Sequence, residues 1–381
     1  MRRRPVVVLG LLWAGLAAAR RLGRAGLEVT GIAFTGHDFG LRSRYLAHRL
    51  VEADPERVLT AIRHVARGGR VVLFPERDAH VEFVLRHWDV LAEIADLPFP
   101  DDPAIVRRLR RKELLAGVAQ EAGVATPPTA PASDEDSVRA LPFRPPLLVK
   151  PVEGQEFATH FGRKLFLASS VDEAVAAWRR AHAAGFETII QELVPDAQQR
   201  IYSLFAYVGR EGEPLSTVVG RKVRAGPPHF GTASVFALCD QPRVAEVGLR
   251  LLSSAGYRGF AQVELAHDVR DDVLKLLEVN TRPPQWAGVA MTDEHDVALL
   301  AYDDLAGASP RPLRPYVDPA VVWIYGAKDA WSALQMLRAR EAGPRAVLAP
   351  YLARKKVRAI VSADDPLPAL ASLAYLRSKV A

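Results

Sequence analysis

Val6-Val7-Val8-Leu9 is a short, β-branched apolar run bounded by Gly10, which predicts a buried strand. Gly10 to Gly15 reads as a turn, and Leu16–Arg24 has the spacing of an amphipathic helix. The apolar run recurs at Glu28–Ala33 and Arg70–Phe74, with a helical pattern over Pro55–Arg67 between them. Strands alternating with helices predict a doubly wound α/β domain over residues 1–103. A helix then starts at Asp101-Asp102-Pro103 and carries the arginine-rich stretch up to Lys112. A Pro/Ser/Asp-rich connector over 131–146 leads to the strand Leu147-Leu148-Val149-Lys150, stopped by Pro151. Residues 151–186 predict a small mobile unit: a polar loop, a strand over Lys164–Ala168 and a helix over Val171–Ala183. Thr188–Leu193 is another strand, residues 200–282 are strand-rich, and a helical and mixed tail runs from 311 to 381.

Composition narrows the class. With 49% hydrophobic and 25% charged residues the chain reads as an ordinary globular protein of two or three domains. The formal charge of +6 raises the question of nucleic acid. The arginines are scattered and no basic run is interleaved with aromatics, so no nucleic-acid partner is expected. The one cysteine, Cys239, excludes an intramolecular disulfide, and no Cys/His cluster has zinc spacing. Arg2-Arg3-Arg4 followed by an apolar stretch imitates a signal peptide, but cleavage near Ala19 would amputate the first strand of a βαβ unit. No apolar run reaches the length of a membrane span, and a cytoplasmic protein is expected.

Lysine is scarce, nine residues against forty-one arginines, yet Lys112, Lys150, Lys164 and Lys222 all precede an acidic strand pair. A compact ammonium on a flexible stem suits phosphate. Gln262 and Glu264 share one face of the first strand of that pair, and Glu278 and Asn280 share one face of the second. The loop His267–Asp272 makes the two strands a hairpin. Two carboxylates and an amide then converge, oxygen ligands of the kind Mg²⁺ takes alongside substrate phosphates. Taken alone, Glu264 and Glu278 fit a half-exposed hairpin equally well. No Gly-x-x-x-x-Gly-Lys-Ser/Thr and no Gly-x-Ser-x-Gly occurs, so neither a Walker loop nor a serine elbow is present. The Gly10–Gly15 turn lacks the dinucleotide spacing, and no acidic residue ends the next strand, which leaves a dinucleotide-dependent oxidoreductase as a weak alternative.

The ordered succession Lys112, Leu148-Val149-Lys150-Pro151, Ile189-Ile190-Gln191-Glu192, Glu264 and Leu277-Glu278-Val279-Asn280-Thr281-Arg282 resembles the ATP-grasp superfamily of carboxylate–amine or carboxylate–thiol ligases. The resemblance covers residues 1–305. Leu41-Arg42-Ser43-Arg44-Tyr45, Phe161-Gly162-Arg163-Lys164-Leu165 and Gly220-Arg221-Lys222-Val223-Arg224 are similar to the D-aspartate-ligase-like, carbamoyl-phosphate-synthase-like branch. It implies an α/β (α+β) chain: a Rossmann-like N-terminal domain over 1–103, an ATP-grasp domain over 104–310 with a lid at 151–186, and a C-terminal extension over 311–381. It also implies ATP and Mg²⁺, with Mn²⁺ as a substitute, and small-molecule carboxylate and amine substrates joined through an acyl phosphate. A homodimer is allowed. A nucleotide-binding protein without turnover is the alternative on the same fold.

By the resemblance, Lys112, Lys150 and Lys164 meet nucleotide phosphates, and Gln191, Glu192 and Leu193 meet adenine through the strand end. Asp196 holds the ribose; Glu264, Glu278 and Asn280 ligate the metal; Arg282 neutralises the transferred phosphoryl group. Lys222 and Arg224 alternate onto one strand face, where they clamp a substrate carboxylate or acyl phosphate, or else stand as two charges on a solvated face. His229, Arg200, His37 and Trp286 read as pocket-lining or packing residues. The segment Val152–Ala158 has one glycine and two acids where many lids of this superfamily are glycine-rich, so Lys164 and the lid backbone would take over that contact.

Overall fold

The computed structural model describes residues 3–152, 154–195, 200–228 and 231–380. Two compact units emerge from it. The first comprises Met1–Arg107, Ser203–Gln262 and Asn280–Ala381; the second comprises Arg108–Tyr202 and Val263–Val279.

In the first unit, β1 (Val6–Leu9), β2 (Val29–Ala33), β3 (His48–Val51), β4 (Val71–Pro75) and β5 (Ala95–Asp96) form a sheet in the order β3-β2-β1-β4-β5. Every registered neighbour pair is parallel. β1, β2 and β4 are buried along their whole length, which is why their sequences are continuous apolar runs. β3 is mostly exposed and forms one edge, so it carries no apolar signature. The order reverses between β1 and β4, the topological switch point where open α/β sheets offer a crevice.

The second unit is built on an antiparallel sheet of β6 (Thr129–Ala132), β7 (Leu147–Pro151), β8 (Phe166–Ala168) and β9 (Thr188–Glu192), ordered β6-β9-β7-β8. The helix Val171–Ala183 starts on Ser170, whose hydroxyl accepts the Glu173 N–H, and buries Ala174, Val175 and Trp178. The expected polar loop after Lys150 is instead a helix over Gly154–Phe161. Its Phe157 is fully buried, with Phe161 packed one turn away. Two aromatics at i, i+4 outweigh the polar residues between them.

A seven-stranded sheet takes the remaining strands: β10 (Ile201–Val208), β11 (Pro214–Gly226), β12 (Thr232–Leu238), β13 (Gly259–Asp268), β14 (Val273–Asn280), β15 (Val321–Ile324) and β16 (Lys355–Arg358). Their order is β14-β13-β10-β11-β12-β15-β16. β13 and β14 each run from one unit into the other along the chain. The C-terminal segment therefore supplies β15, which pairs with β12, and β16, which pairs with β15. Asp365 ties the segment down: it is buried and accepts from Arg20 Nε at 2.8 Å, Ser43 Oγ at 2.7 Å and the Arg44 N–H at 2.9 Å. The Ser43-Arg44-Tyr45 motif thus anchors the tail, with Tyr45 Oη donating to Asp364 at 2.6 Å. Among the described residues no helix is long and apolar enough to cross a membrane.

Candidate active site

The second unit contains a cleft lined by Lys112, Lys150 and Glu278. Lys150 stands on β7 and donates to Gln191 Oε1 on β9 at 2.5 Å; the Gln191 amide donates to Thr129 Oγ1 on β6 at 2.9 Å. Register explains the chain of contacts. Thr129 and Leu148 both pair with Gln191, and Lys150 follows Leu148 by two residues, so the three polar side chains occupy one sheet face. Lys112, the first residue of the helix Lys112–Glu121, donates to the Pro151 carbonyl at 2.9 Å. Thr126, Leu115, Ile189 and Leu276 line the same cleft, with Glu278 at its rim. Sequence reasoning missed this mixture of threonines and aliphatic wall, because single apolar or hydroxyl residues carry no motif.

Electrostatics set this cleft apart. Burial pushes the Lys150 ammonium down to about 8, and the neighbouring Lys112 adds to the shift, while Glu278 and Glu264 oppose it. Lys112 is also lowered, by burial first and by Lys164, with Glu278 again opposing. Two ammonium groups held close, each short of compensating charge, form a place for an anion. Lys164 itself is exposed.

Glu192 has another use. Its carboxylate accepts from Arg270 at 2.6 Å and from the Arg144 N–H at 3.1 Å. Burial alone would raise it; these contacts outweigh burial and hold it below the usual carboxylate range. Arg270 in turn grips fully buried Asp268, which also accepts from Lys275 at 2.6 Å. The backbone N–H groups at the strand end are engaged as well. Glu192 donates to Pro128 O at 2.9 Å and Leu193 to Pro146 O at 3.0 Å, as befits an inner strand with neighbours on both sides. The Leu193 N–H assigned to an adenine edge is therefore taken by the sheet.

Among the described residues no three His, Cys, Asp or Glu side chains cluster as a metal site. Glu264 is half-buried and Glu278 exposed, and both act on Lys150 electrostatically. Two carboxylates alone are an incomplete donor set, of the kind Mg²⁺ would complete with waters and phosphate oxygens.

In the first unit, Asn280 donates to Gln262 Oε1 at 3.4 Å, and Arg282 pairs with Asp78 at 2.7 Å. Asp78 opens the helix that follows β4, at the carboxyl end of the parallel sheet. There the helix Trp13–Arg24 begins earlier than the Gly10–Gly15 turn implied. The cause is Glu76, just past β4, whose two oxygens accept the N–H groups of Leu12 at 2.8 Å and Ala14 at 3.0 Å. Gly10 is required here: its φ is +85°, and a Cβ would lie 2.1 Å from the His80 ring. Burial and Asp38 push Glu76 up to about 7, with Arg77 and the backbone donors opposing. His80, fully buried, is pushed down to about 3 and stays neutral; its Nδ1 accepts the Arg77 N–H at 3.1 Å, which places the ring proton on Nε2. The helix N-terminus that would hold a dinucleotide pyrophosphate is filled by a carboxylate, which removes the structural basis for the oxidoreductase alternative.

Lys222 and Arg224 part company. A register irregularity separates them on β11. Lys222 donates to the Gly231 carbonyl at 3.4 Å. Arg224 is buried, bound to Asp329 at 2.6 Å and to the Val347 carbonyl at 2.9 Å, so its guanidinium is committed to packing rather than offered to a substrate. Trp286 stacks on Phe236 in the core. Asp196 and His229 lie outside the described residues.

No family model matches the chain. A curated D-aspartate ligase from Enterococcus faecium (strain Aus0004) is 24% identical over 232 residues, 58% of this chain and 55% of that protein; the chain thus spans about half the length of this relative. The crystal structure of L-amino acid ligase from Bacillus licheniformis superposes with a TM-score of 0.64 at 17% identity, covering 84% of this chain and 80% of that one. The ADP complex of N5-carboxyaminoimidazole ribonucleotide synthetase gives 0.62 at 14% identity, over 82% and 81%. These likenesses show that the chain has the ATP-grasp fold.

Proposed function

We propose that the protein is an ATP- and Mg²⁺-dependent ligase that joins a carboxylate to an amine. The observation that carries the reading is the lysine pair: Lys112 and Lys150, both lowered by burial and held near Glu278, are poised for a polyanion. Lys112 and Lys150 contact the nucleotide phosphates, and Lys164 reaches them from the lid. Gln191 holds Lys150 in place. With the Leu193 N–H already bonded, the next backbone N–H, that of Val194, reads the adenine edge. Glu264 and Glu278, with Asn280 two residues beyond Glu278 on the same strand, would hold Mg²⁺, which would supply charge stabilisation to the phosphates.

A carboxylate oxygen of the first substrate attacks the γ-phosphorus, the bond to the bridging oxygen breaks, and ADP leaves. Arg282 offsets charge on the transferring group, a step that needs positioning more than covalent help. The amine of the second substrate then attacks the acyl carbon, phosphate leaves, and the amine proton passes to solvent. Amino acids or peptides are the substrate class, in line with the likeness to a D-aspartate ligase and an L-amino acid ligase. ATP as co-substrate and a lone cysteine with burial pushing its thiol up to about 11 suit the cytoplasm.

The test is release of ADP and phosphate from ATP with Mg²⁺ across a panel of amino-acid carboxylate and amine pairs. At least one pair stimulates turnover, and Glu278→Ala abolishes it with an unchanged melting curve. ATP binding without stimulation by any pair would reassign the chain as a nucleotide-binding protein.

A further inference from the structure

The segment 326–358 is strongly cationic. Residues 326–358 contain eight Lys or Arg and two acids, a surplus of six, equal to the formal +6 of the whole chain. One of the acids, Asp329, is fully buried. Arg338, Arg340, Arg345, Arg354, Lys356 and Arg358 are all exposed.

The same segment exposes large apolar side chains. The helix Gly326–Arg338 buries Asp329, Ser332 and Ala333 on its inner face and turns Trp331, half exposed, and Leu334 outward, with Arg338 a turn beyond. Leu348, Tyr351 and Leu352 follow, and Leu352 is 81% exposed. The turn that bears them is held to the helix through Asp329, which accepts from Arg224 at 2.6 Å, Ser234 at 2.8 Å and Tyr351 Oη at 2.7 Å. Arg224 also binds the Val347 carbonyl, beside Leu348. A buried ion pair thus fixes the base of a surface whose outer side chains are a tryptophan, leucines and arginines.

Scattered exposed leucines are ordinary, but a tryptophan and several leucines protruding from one strongly cationic stretch are not. We propose that this face docks the protein on an anionic lipid bilayer, the leucines and Trp331 entering the headgroup region while the arginines meet lipid phosphates. Aliphatic protrusions decide against a nucleic acid, which offers bases for aromatic stacking and phosphates for arginine but nothing for leucine. A second copy is disfavoured, because the surface would bring its own arginines together.

The experiment is co-sedimentation of the full chain with vesicles of phosphatidylcholine alone, and of phosphatidylcholine with phosphatidylglycerol, at low and high salt. The protein pellets with the anionic vesicles only, and salt releases it. Replacing Arg338, Arg345 and Arg354 by Gln together lowers the partition coefficient on the order of 100-fold. Leu348→Ser with Leu352→Ser abolishes pelleting while the melting curve stays in place. Failure to pellet, equal pelleting with both vesicle types, or pelleting unaffected by the leucine changes would overturn the proposal. So would tighter binding to polyuridylate than to vesicles, which would assign the arginines to a nucleic acid.

Discussion

Two strand ends in this molecule solve the same electrostatic problem in opposite ways. At the switch point of the parallel sheet, the start of the Trp13–Arg24 helix is an anion site by construction, and the protein fills it with its own Glu76. In the antiparallel unit the analogous position is left cationic, with Lys112 and Lys150 brought together and both lowered by burial. The first region spends its donors on structure. The second stores an unmet demand for negative charge at a cost to stability, and such a cost is a mark of function.

The largest effect expected is on turnover. Lys150→Met should lower kcat/KM by roughly 10²–10³-fold, the scale of losing one well-placed donor to developing charge. The same change should leave the melting temperature level or raise it, because it removes a poorly compensated buried cation. Steady-state kinetics and a thermal melt on one preparation check both halves; a loss of stability would erase the contrast. Glu76→Ala should do the reverse. It strands two backbone N–H groups and should cost about 1–3 kcal/mol of stability, read by denaturant unfolding. ATP affinity in the other unit should be unchanged.

The smallest effect is a pH dependence whose sign follows from Lys150. Its folded value near 8 lies below the unfolded 10.5, so between those limits the unfolded chain binds more protons, and stability without ligand rises with pH. ATP needs the protonated ammonium, so affinity should fall by up to about tenfold per pH unit above 8. Equilibrium binding across that range measures it, and a flat profile would mean that Lys150 does not meet the phosphates.

Much of this was legible along the chain, for reasons that can be named. Val6–Leu9 and the Val171–Ala183 helix have their expected bounds, because continuous apolar runs and a 3.6-residue period are local signals. Lys150 and Gln191 fall together because strand register is set by the same pattern. What the sequence concealed depends on distant partners. Arg224 reads as a substrate clamp until Asp329, 105 residues later, takes it. The Glu192 carboxylate is claimed by Arg270, 78 residues on. The early start of the first helix depends on Glu76, and no residue near Trp13 announces it.

The central claim concerns where ATP finds its positive charge, and titration calorimetry tests it most directly. MgATP is titrated just above pH 8 into the wild type and into Lys150→Met, each in two buffers of different ionisation heat. The account predicts proton uptake by the wild type, as the phosphates restore the Lys150 proton, and none by the variant. Tight binding with no uptake, or equal uptake by both proteins, would contradict it.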